Sequence, residues 1–239
     1  MINNYNDFIE TLLSAGFSMA GGGDDGIFAV IKWGWNEALP YDTPIKWHTG
    51  DPDTDPWEWR IRVLNERDDI AYAKLFFKKS GYITKSWYPY FLAARRDGET
   101  FEDAYARGVI SHFAKRIYDA VSENGTLPLH GIKQVAGFTR DDKSGFDRAL
   151  TELQMGMFLT MCGQQSMATG KDSIGLDMEP GQSGSWPSTV FCTTERFFGD
   201  EVFDKAAKIS KEEAAQRIRE QVLALNPDAA EKKIAKFIG

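Results

Sequence analysis

The chain has 239 residues, of which 42% are hydrophobic and 26% are charged, and its formal net charge at pH 7 is -7. This composition is typical of a globular protein with room for one large domain or two small ones. The acidic balance argues against tight non-specific binding of nucleic acid over the whole surface. No apolar run reaches the roughly 18 residues typical of a transmembrane helix.

The N-terminal quarter of the chain predicts one helix, one short strand and a long irregular segment. Residues 6–17 repeat apolar side chains at helical spacing, and Gly16 can end that helix. Residues 27–31 predict a strand. Residues 33–59 contain five of the seven Trp residues, interleaved with prolines and aspartates. Such a segment must be mostly irregular, and irregular segments of this length are often functional.

A helix and a pair of strands are predicted next. Residues 57–66 form the helix, with Asp55 as its N-cap. Residues 70–78 alternate and predict a strand, residues 80–81 predict a turn, and residues 82–84 predict a returning strand. Two further helices are expected at 87–96 and 101–107, the second capped by Thr100.

Residues 111–194 predict a winged-helix segment. Three amphipathic helices are followed by two strands that flank a long loop rich in Gly, Ser and Gln. Helix, helix, turn, helix, strand, wing and strand is the winged-helix order. The helices are predicted at 111–123, 129–136 and 143–154, the strands at 157–162 and 188–194, and the loop at 163–187.

The predicted fold class is α+β, mainly helical, with the winged-helix segment in the middle and a small mixed N-terminal part. The domain prediction is an N-terminal part at 1–110, the winged-helix segment at 111–194 and a helical tail at 195–239. Within the tail, helices are predicted at 211–225 and 229–237, the first capped by Ser210.

Basic side chains around the third winged-helix helix are the candidate DNA contacts. Arg140, Lys143 and Arg148 lie at its start and on its exposed face, and Lys133 flanks it. In a winged helix this element enters the major groove, where Arg and Lys contact bases and phosphates. Double-stranded DNA is therefore a candidate partner. Acidic residues share the element, so a solvated helix face or a protein-binding module is the alternative.

The Trp-rich segment offers a second candidate site. Trp57 and Trp59 can stack a flat ring, while Asp55 and Glu58 can supply carboxylates beside it for acid–base or glycosidic chemistry. The alternative is structural, because Asp55 is already accounted for as a helix cap and Trp residues usually fill the core.

Neither a metal nor a cofactor is predicted. The three histidines, His48, His112 and His130, lack metal-ligand spacing. Cys162 and Cys192 lie in two apolar runs, and we expect free thiols in a reducing compartment, with a disulfide as the alternative if the runs pair as strands. The N-terminal residues do not combine a basic region with a following apolar stretch, so no secretory signal is predicted. The expected location is therefore the cytoplasm, without membrane association.

Four stretches of sequence carry a family resemblance. They are DPWEWR at 55–60, YAKLFFKK at 72–79, PLHGIK at 128–133 and KKIAKFIG at 232–239. On these stretches the chain resembles a group of bacterial proteins related to the winged-helix DNA glycosylases, which unhook alkylated and crosslinked bases. The resemblance implies a winged-helix fold and a role connected with DNA repair.

The resemblance transfers no catalytic residue. The glycosylases carry a Gln-x-Asp or Gln-x-Gln motif, and no Gln in this chain has an Asp or Gln two positions later. Their tandem winged-helix architecture is also not evident, because only one copy is predicted. Three hypotheses follow: a nucleic-acid-associated protein related to the DNA repair glycosylases, with or without their activity; an enzyme that uses the Trp and carboxylate pocket on a small molecule or modified base; or a non-catalytic protein-interaction module.

Overall fold

An antiparallel sheet forms the centre of the computed structural model, which describes residues 1–165 and 188–239. Its strands are β1 (Phe17–Met19), β2 (Ile70–Phe76), β3 (Lys79–Thr84), β4 (Thr126–Pro128), β5 (Leu159–Gln165) and β6 (Ser188–Thr193). They lie side by side in the order β1-β3-β2-β5-β6-β4. A single pair, Tyr72 and Met161, joins the N-terminal strands to the three that follow.

Helices pack around this sheet and confirm the mixed α+β class. In chain order they are α1 (Tyr5–Ala15), α2 (Pro56–Glu66), α3 (Tyr88–Arg96), α4 (Phe101–Ala106), α5 (His112–Asn124), α6 (Leu129–Val135), α7 (Lys143–Met155), α8 (Thr194–Phe198), α9 (Asp200–Ala206), α10 (Lys211–Leu225) and α11 (Glu231–Ile238). In the part of the chain that the structure describes, none of them is long and apolar enough to cross a membrane.

Polar side chains begin several of these helices where the sequence predicts them. Asp55 accepts a hydrogen bond from the backbone N–H of Trp57, and Ser210 accepts one from Glu213. Thr100 and Asp103 form a reciprocal capping box at the start of α4. The hydrogen bonds from Thr100 lower the pKa of the Asp103 carboxyl. These caps pair backbone N–H groups that a helix cannot pair internally.

The turn between β2 and β3 differs from the prediction. It lies at Phe77 and Lys78, which both have positive φ, of 52° and 64°, and not at 80–81. A two-residue turn of this kind needs positive φ at both positions, and these two residues give no Asn-Gly signal for it. Gly81 instead lies within β3. A Cβ at this position would come 2.5 Å from the Phe76 ring, so the close approach of the ring requires glycine. The glycine thus serves close packing and not the turn.

The prediction of a strand at residues 27–31 was also wrong. This segment is buried, but the backbone N–H of Val30 donates to the Ser18 hydroxyl at 3.0 Å and only Phe28 accepts from Met19. The Ser18 hydroxyl thus accepts a hydrogen bond that the backbone of a neighbouring strand would accept in a sheet. Four short elements were not predicted: the strands β1 and β4, which have three residues each, and the helices α8 and α9, which span only one or two turns.

Alternation along β2 separates two cores. Ala71, Ala73 and Leu75 face one cluster, and Ile70 and Tyr72 face another, as the period of two in a strand requires. The first cluster packs the sheet against α3, α10 and α11, and the second packs it against α1 and α2. A third cluster joins α4, α5 and α7 to β5 and β6.

The helices of the third cluster enclose a small part of the sheet. The chain runs α5, β4, α6, α7, β5, β6, and β6 pairs with both β5 and β4. Leu127 lies opposite Phe191, and Leu159 lies opposite Thr193. Of the loop predicted at 163–187, the first three residues belong to β5, and 166–187 lie outside the described residues.

The two cysteines are free thiols on neighbouring strands. Cys162 lies at the irregularity between Met161 and Gly163 in β5, and Cys192 lies opposite Thr160 on β6. The hydrogen bond from the Cys192 thiol lowers the pKa of Cys162, and the same bond, together with burial, raises the pKa of Cys192.

We therefore expect iodoacetamide to modify Cys162 before Cys192, because Cys162 is partly exposed while Cys192 is buried, and a lowered pKa favours the nucleophilic thiolate of Cys162. Peptide mass spectrometry over a time course checks this order. Cys192→Ala removes the hydrogen bond and should shift the labelling of Cys162 to higher pH, whereas Cys192→Ser keeps a donor and should shift it less. Faster labelling of Cys192 would contradict the assignment.

Candidate nucleic-acid interface

The start of α7 and the turn before it place three predicted basic residues on the surface. Arg140, Lys143 and Arg148 are exposed, while Phe146 and Leu150 on the same helix are buried in the third core. A helix that buries one stripe leaves the opposite face to solvent. The structure thus leaves all three basic residues exposed, although Lys143 and Arg148, five positions apart on α7, point roughly 140° apart around the helix axis.

A short hydrogen-bonded turn fixes where α7 begins. The backbone N–H and the hydroxyl of Thr139 donate to the Asp142 carboxylate at 2.8 and 2.9 Å, and the bonds from Thr139 lower the pKa of Asp142. Since Asp142 faces back toward Thr139, no side chain caps α7. Among the described hydrogen bonds, the backbone N–H groups of Ser144 and Gly145 have no acceptor. Free N–H groups at a helix N-terminus favour anions.

Lys133 lies beside α7 on α6, but in a different environment. It is half-buried, and its ammonium group lies 5.0 Å from the centre of the Phe146 ring. The lysine stem therefore covers part of the core while the charge stays at the surface. Lys133 therefore approaches α7 at Phe146, a residue on the buried side of that helix.

Charges around this face are unevenly engaged. None of the four basic residues belongs to an ion pair between described residues. Glu152 is occupied by the backbone N–H and hydroxyl of Ser111, at 2.8 and 2.9 Å. In the described part of the chain the four basic residues therefore have no acidic partner, and exposed Asp141 and Asp147 are the nearest unengaged acids along the sequence.

Close packing against α5 sets the position of α7. A Cβ at Gly145 would lie 2.5 Å from the Phe113 ring, so the glycine lets the two helices approach. Arg116 on α5 donates to the backbone oxygens of Ala136 and Gly137, which end α6. These contacts hold the turn between α6 and α7 in place.

The Asp55 carboxylate lies inside the protein. One oxygen accepts from the backbone N–H of His48 at 3.1 Å and Trp57 at 2.8 Å, and the other accepts from Thr49 at 2.7 Å and Gly50 at 2.9 Å. The residue is fully buried. This geometry makes Asp55 both the cap of α2 and the acceptor that folds the loop at residues 48–50.

The other three residues predicted for the Trp pocket divide between core and surface. Trp59 is fully buried, with its ring centre 5.0 Å from that of Phe8. Trp57 and Glu58 are half-buried, and the guanidinium carbon of Arg60 lies 3.3 Å from the centre of the Trp57 ring. The structure therefore does not gather Asp55, Trp57, Glu58 and Trp59 around one open pocket.

Another group of aromatic side chains does reach the surface. His48 lies between Trp35, Trp47 and Trp57, with ring centres separated by 6.2, 6.3 and 5.1 Å respectively. We call these four residues the aromatic cluster. Trp35 is 70% exposed. The Trp-rich composition of 33–59 pointed to this segment, but nothing in the sequence identified Trp35 and His48 as its surface members.

Metal ligands do not converge in the described residues. No group of three or more His, Cys, Asp or Glu side chains in residues 1–165 and 188–239 has an arrangement that could hold a metal ion.

Comparison with known families gives one result. A family model described as AlkZ related matches residues 2–239. Comparison with curated proteins and comparison with solved structures each gave no match.

Proposed function

Because the chain belongs to the AlkZ-related family, we propose that it is a DNA-associated protein that binds double-stranded DNA through the exposed face of α7. AlkZ itself is a DNA crosslink repair glycosylase. The family membership relates the chain to DNA repair glycosylases, and the proposed contact residues are Lys133, Arg140, Lys143 and Arg148.

The order of elements in residues 111–194 supports a winged-helix interpretation. A winged helix places its third helix in the major groove and flanks it with a strand pair. Here α7 occupies the third-helix position, β5 and β6 follow it, and β4 adds to β6. We propose residues 111–194 as the DNA-binding part of the chain, between an N-terminal part at 1–110 and a tail at 195–239.

The observation that carries the proposal is the set of basic residues that have no ion-pair partner among residues 1–165 and 188–239. Phosphate contacts provide most of the affinity for DNA, and they require cations that are free to approach the backbone. Lys143 and Arg140 lie beside the uncapped start of α7, where free N–H groups also favour phosphate. A phosphate there would meet two side chains and a helix end together.

The acidic net charge limits how the DNA can approach. Residues 1–59 contain ten acidic residues against Lys32 and Lys46. This net negative charge opposes a duplex that lies along the N-terminal quarter, so the many phosphates of a duplex should contact α7 instead. We infer modest affinity with a strong dependence on salt.

We propose binding without the base excision of the related glycosylases. No Gln in the chain has Asp or Gln two positions later, and Asp55 is occupied by four backbone N–H groups. A catalytic role for Asp55 or Glu58 on a modified base therefore remains a prediction that requires a direct test. A DNA-associated role also favours a cytoplasmic location.

Charge reversal on α7 tests the proposal. The double variant Lys143→Glu and Arg148→Glu should weaken binding of a labelled duplex about tenfold or more, and should lower the slope of log affinity against log salt by about two, one for each lost phosphate contact. Fluorescence anisotropy at several salt concentrations measures both quantities.

The matched control is Lys208→Glu with Lys236→Glu. Both lysines are exposed and belong to no ion pair between described residues, so this variant changes the net charge by the same amount. It should keep most of the affinity. Equal losses in the two double variants would mean that only net charge matters, and unchanged affinity in the α7 variant would remove α7 from the interface.

A further inference from the structure

The aromatic cluster is a constructed surface feature. Trp47 donates from its indole Nε1 to the backbone oxygen of Trp33 at 3.1 Å, which fixes one side of the cluster to the second core. Trp57 lies in the first turn of α2, which is capped by Asp55. The buried Asp55 carboxylate thus holds Trp57 and the loop at 48–50 with the same two oxygen atoms.

His48 occupies an unfavourable backbone conformation at the centre of the cluster. Its φ is 60°, in the left-handed region that few non-glycine residues adopt. The hydrogen bond from its backbone N–H to Asp55 stabilises that conformation. Strained residues persist where the surrounding structure holds them, and they occur often at binding sites.

Trp35 leaves apolar area exposed at the cluster. Its side chain contacts the ring of His48 and is 70% exposed. The ring of His48 lies nearly perpendicular to the ring of Trp35, at 80°, so the two rings are not stacked face to face. An indole exposed in this way is suited to stacking with a flat ligand.

Arg60 adds a charged group with free donors. Its guanidinium lies over the Trp57 ring, and its Nε donates to the Trp57 backbone oxygen at 3.0 Å. The two terminal nitrogens of Arg60 have no acceptor among the described hydrogen bonds, and Arg60 belongs to no described ion pair. A stacked guanidinium with free N–H groups is the arrangement that binds phosphate beside an aromatic ring.

We propose that the aromatic cluster and Arg60 form a binding site for an unpaired nucleotide of single-stranded nucleic acid. The base stacks on Trp35 beside His48, and Arg60 donates hydrogen bonds to the phosphate. Proteins that bind single strands combine aromatic stacking surfaces with basic groups in this way. This inference stands apart from duplex binding by α7, since the two sites share no residue.

The position of α2 relates the site to the rest of the fold. α2 packs against β5, the strand that follows α7 in the chain. Single-stranded nucleic acid at the aromatic cluster would therefore lie beside α2, and a duplex would lie on α7. Both of these helices contact β5. The arrangement fits a substrate in which a duplex adjoins an unpaired segment.

Anisotropy with a labelled oligothymidylate tests the site, because this strand has no duplex structure. The wild type should bind it at low salt, and Trp35→Ala should weaken binding about tenfold. Trp35 is exposed, so thermal unfolding of the variant should match that of the wild type. Arg60→Ala should weaken binding and also lower its salt dependence.

Leu39→Ala is the matched control, since it removes an exposed apolar side chain from the same segment without removing a ring. It should leave the affinity for oligothymidylate unchanged. Failure of the wild type to bind the oligonucleotide, or equal affinities for Trp35→Ala and Leu39→Ala, would overturn the proposal. The Lys143→Glu and Arg148→Glu variant should lose duplex affinity while keeping that for oligothymidylate, which distinguishes the failure of one site from that of the other.

Discussion

Replacing Asp55 by Ala is expected to lower the free energy of unfolding by about 2–4 kcal/mol. The change removes a helix cap, which accounts for about 1 kcal/mol, and leaves three further backbone N–H groups without their charged acceptor. Part of this cost is recovered because His48, Thr49 and Gly50 are exposed and can bond to water. Urea unfolding followed by circular dichroism measures the loss.

Asp51→Ala is the control for this result. Asp51 belongs to the same loop and also accepts hydrogen bonds, from the backbone N–H of Asp53 and the hydroxyl of Thr54, but it is exposed. Its removal should change stability much less than the removal of Asp55. An equal effect of the two substitutions would contradict the structural role given to the buried carboxylate.

Asp55→Asn separates the structural role from a catalytic one. Asn keeps one acceptor oxygen and the side-chain shape, so the folded state should survive at reduced stability. If the role of Asp55 is only structural, any base release by the wild-type protein should also be observed with the folded Asp55→Asn variant. Loss of turnover in an Asp55→Asn variant that is still folded would instead favour the catalytic prediction for Asp55.

Replacing Arg95 by Met is expected to cost about 3 kcal/mol of stability, because several buried carbonyl groups would lose their donors. The guanidinium donates to the backbone oxygens of Ile238 at 2.6 Å, Phe237 at 2.7 Å, Leu75 at 3.0 Å and Met155 at 3.1 Å. It therefore connects the ends of α11 and α7 to β2. Positive charge at helix C-termini is favourable in itself.

Partial burial of Arg95 explains why the expected loss is moderate. Burial lowers its pKa to about 10, so the guanidinium stays protonated at neutral pH but costs desolvation energy that Met would not. The lost hydrogen bonds outweigh this saving. Arg107→Met is the control, since Arg107 is exposed and pairs with Glu99 at the surface, where ion pairs contribute little. Equal stability of the Arg95 and Arg107 variants would contradict this account.

Local sequence signals determine much of the fold. The helices begin where Asp55, Thr100, Ser111 and Ser210 supply caps, and their apolar spacing fixes which face is buried. The incorrect predictions concern segments whose local structure depends on a contact with a residue distant in the sequence. Gly81 resembles a turn residue in the sequence, but it is there because the Phe76 ring needs its space. Val30 lacks a strand partner because the Ser18 hydroxyl takes its N–H.

The candidate sites follow the same division. The exposed face of α7 follows from helical periodicity alone, and the structure places Arg140, Lys143 and Arg148 at the surface. Trp57 and Trp59 are two positions apart on α2, so they point to different sides of the helix and cannot share a pocket wall. That argument was available from the sequence. The exposure of Trp35 was not, because it depends on how an irregular segment folds around Asp55.

Binding of double-stranded DNA is the central claim, and its salt dependence is the most direct test. Anisotropy of a labelled duplex titrated with the wild-type protein at ~50 mM and ~200 mM salt covers the range in which phosphate-driven binding falls steeply. We expect binding at the lower concentration and a loss of at least tenfold at the higher one. Absence of binding at the lower concentration would contradict the claim and would leave the unpaired basic face of α7 to a partner other than DNA.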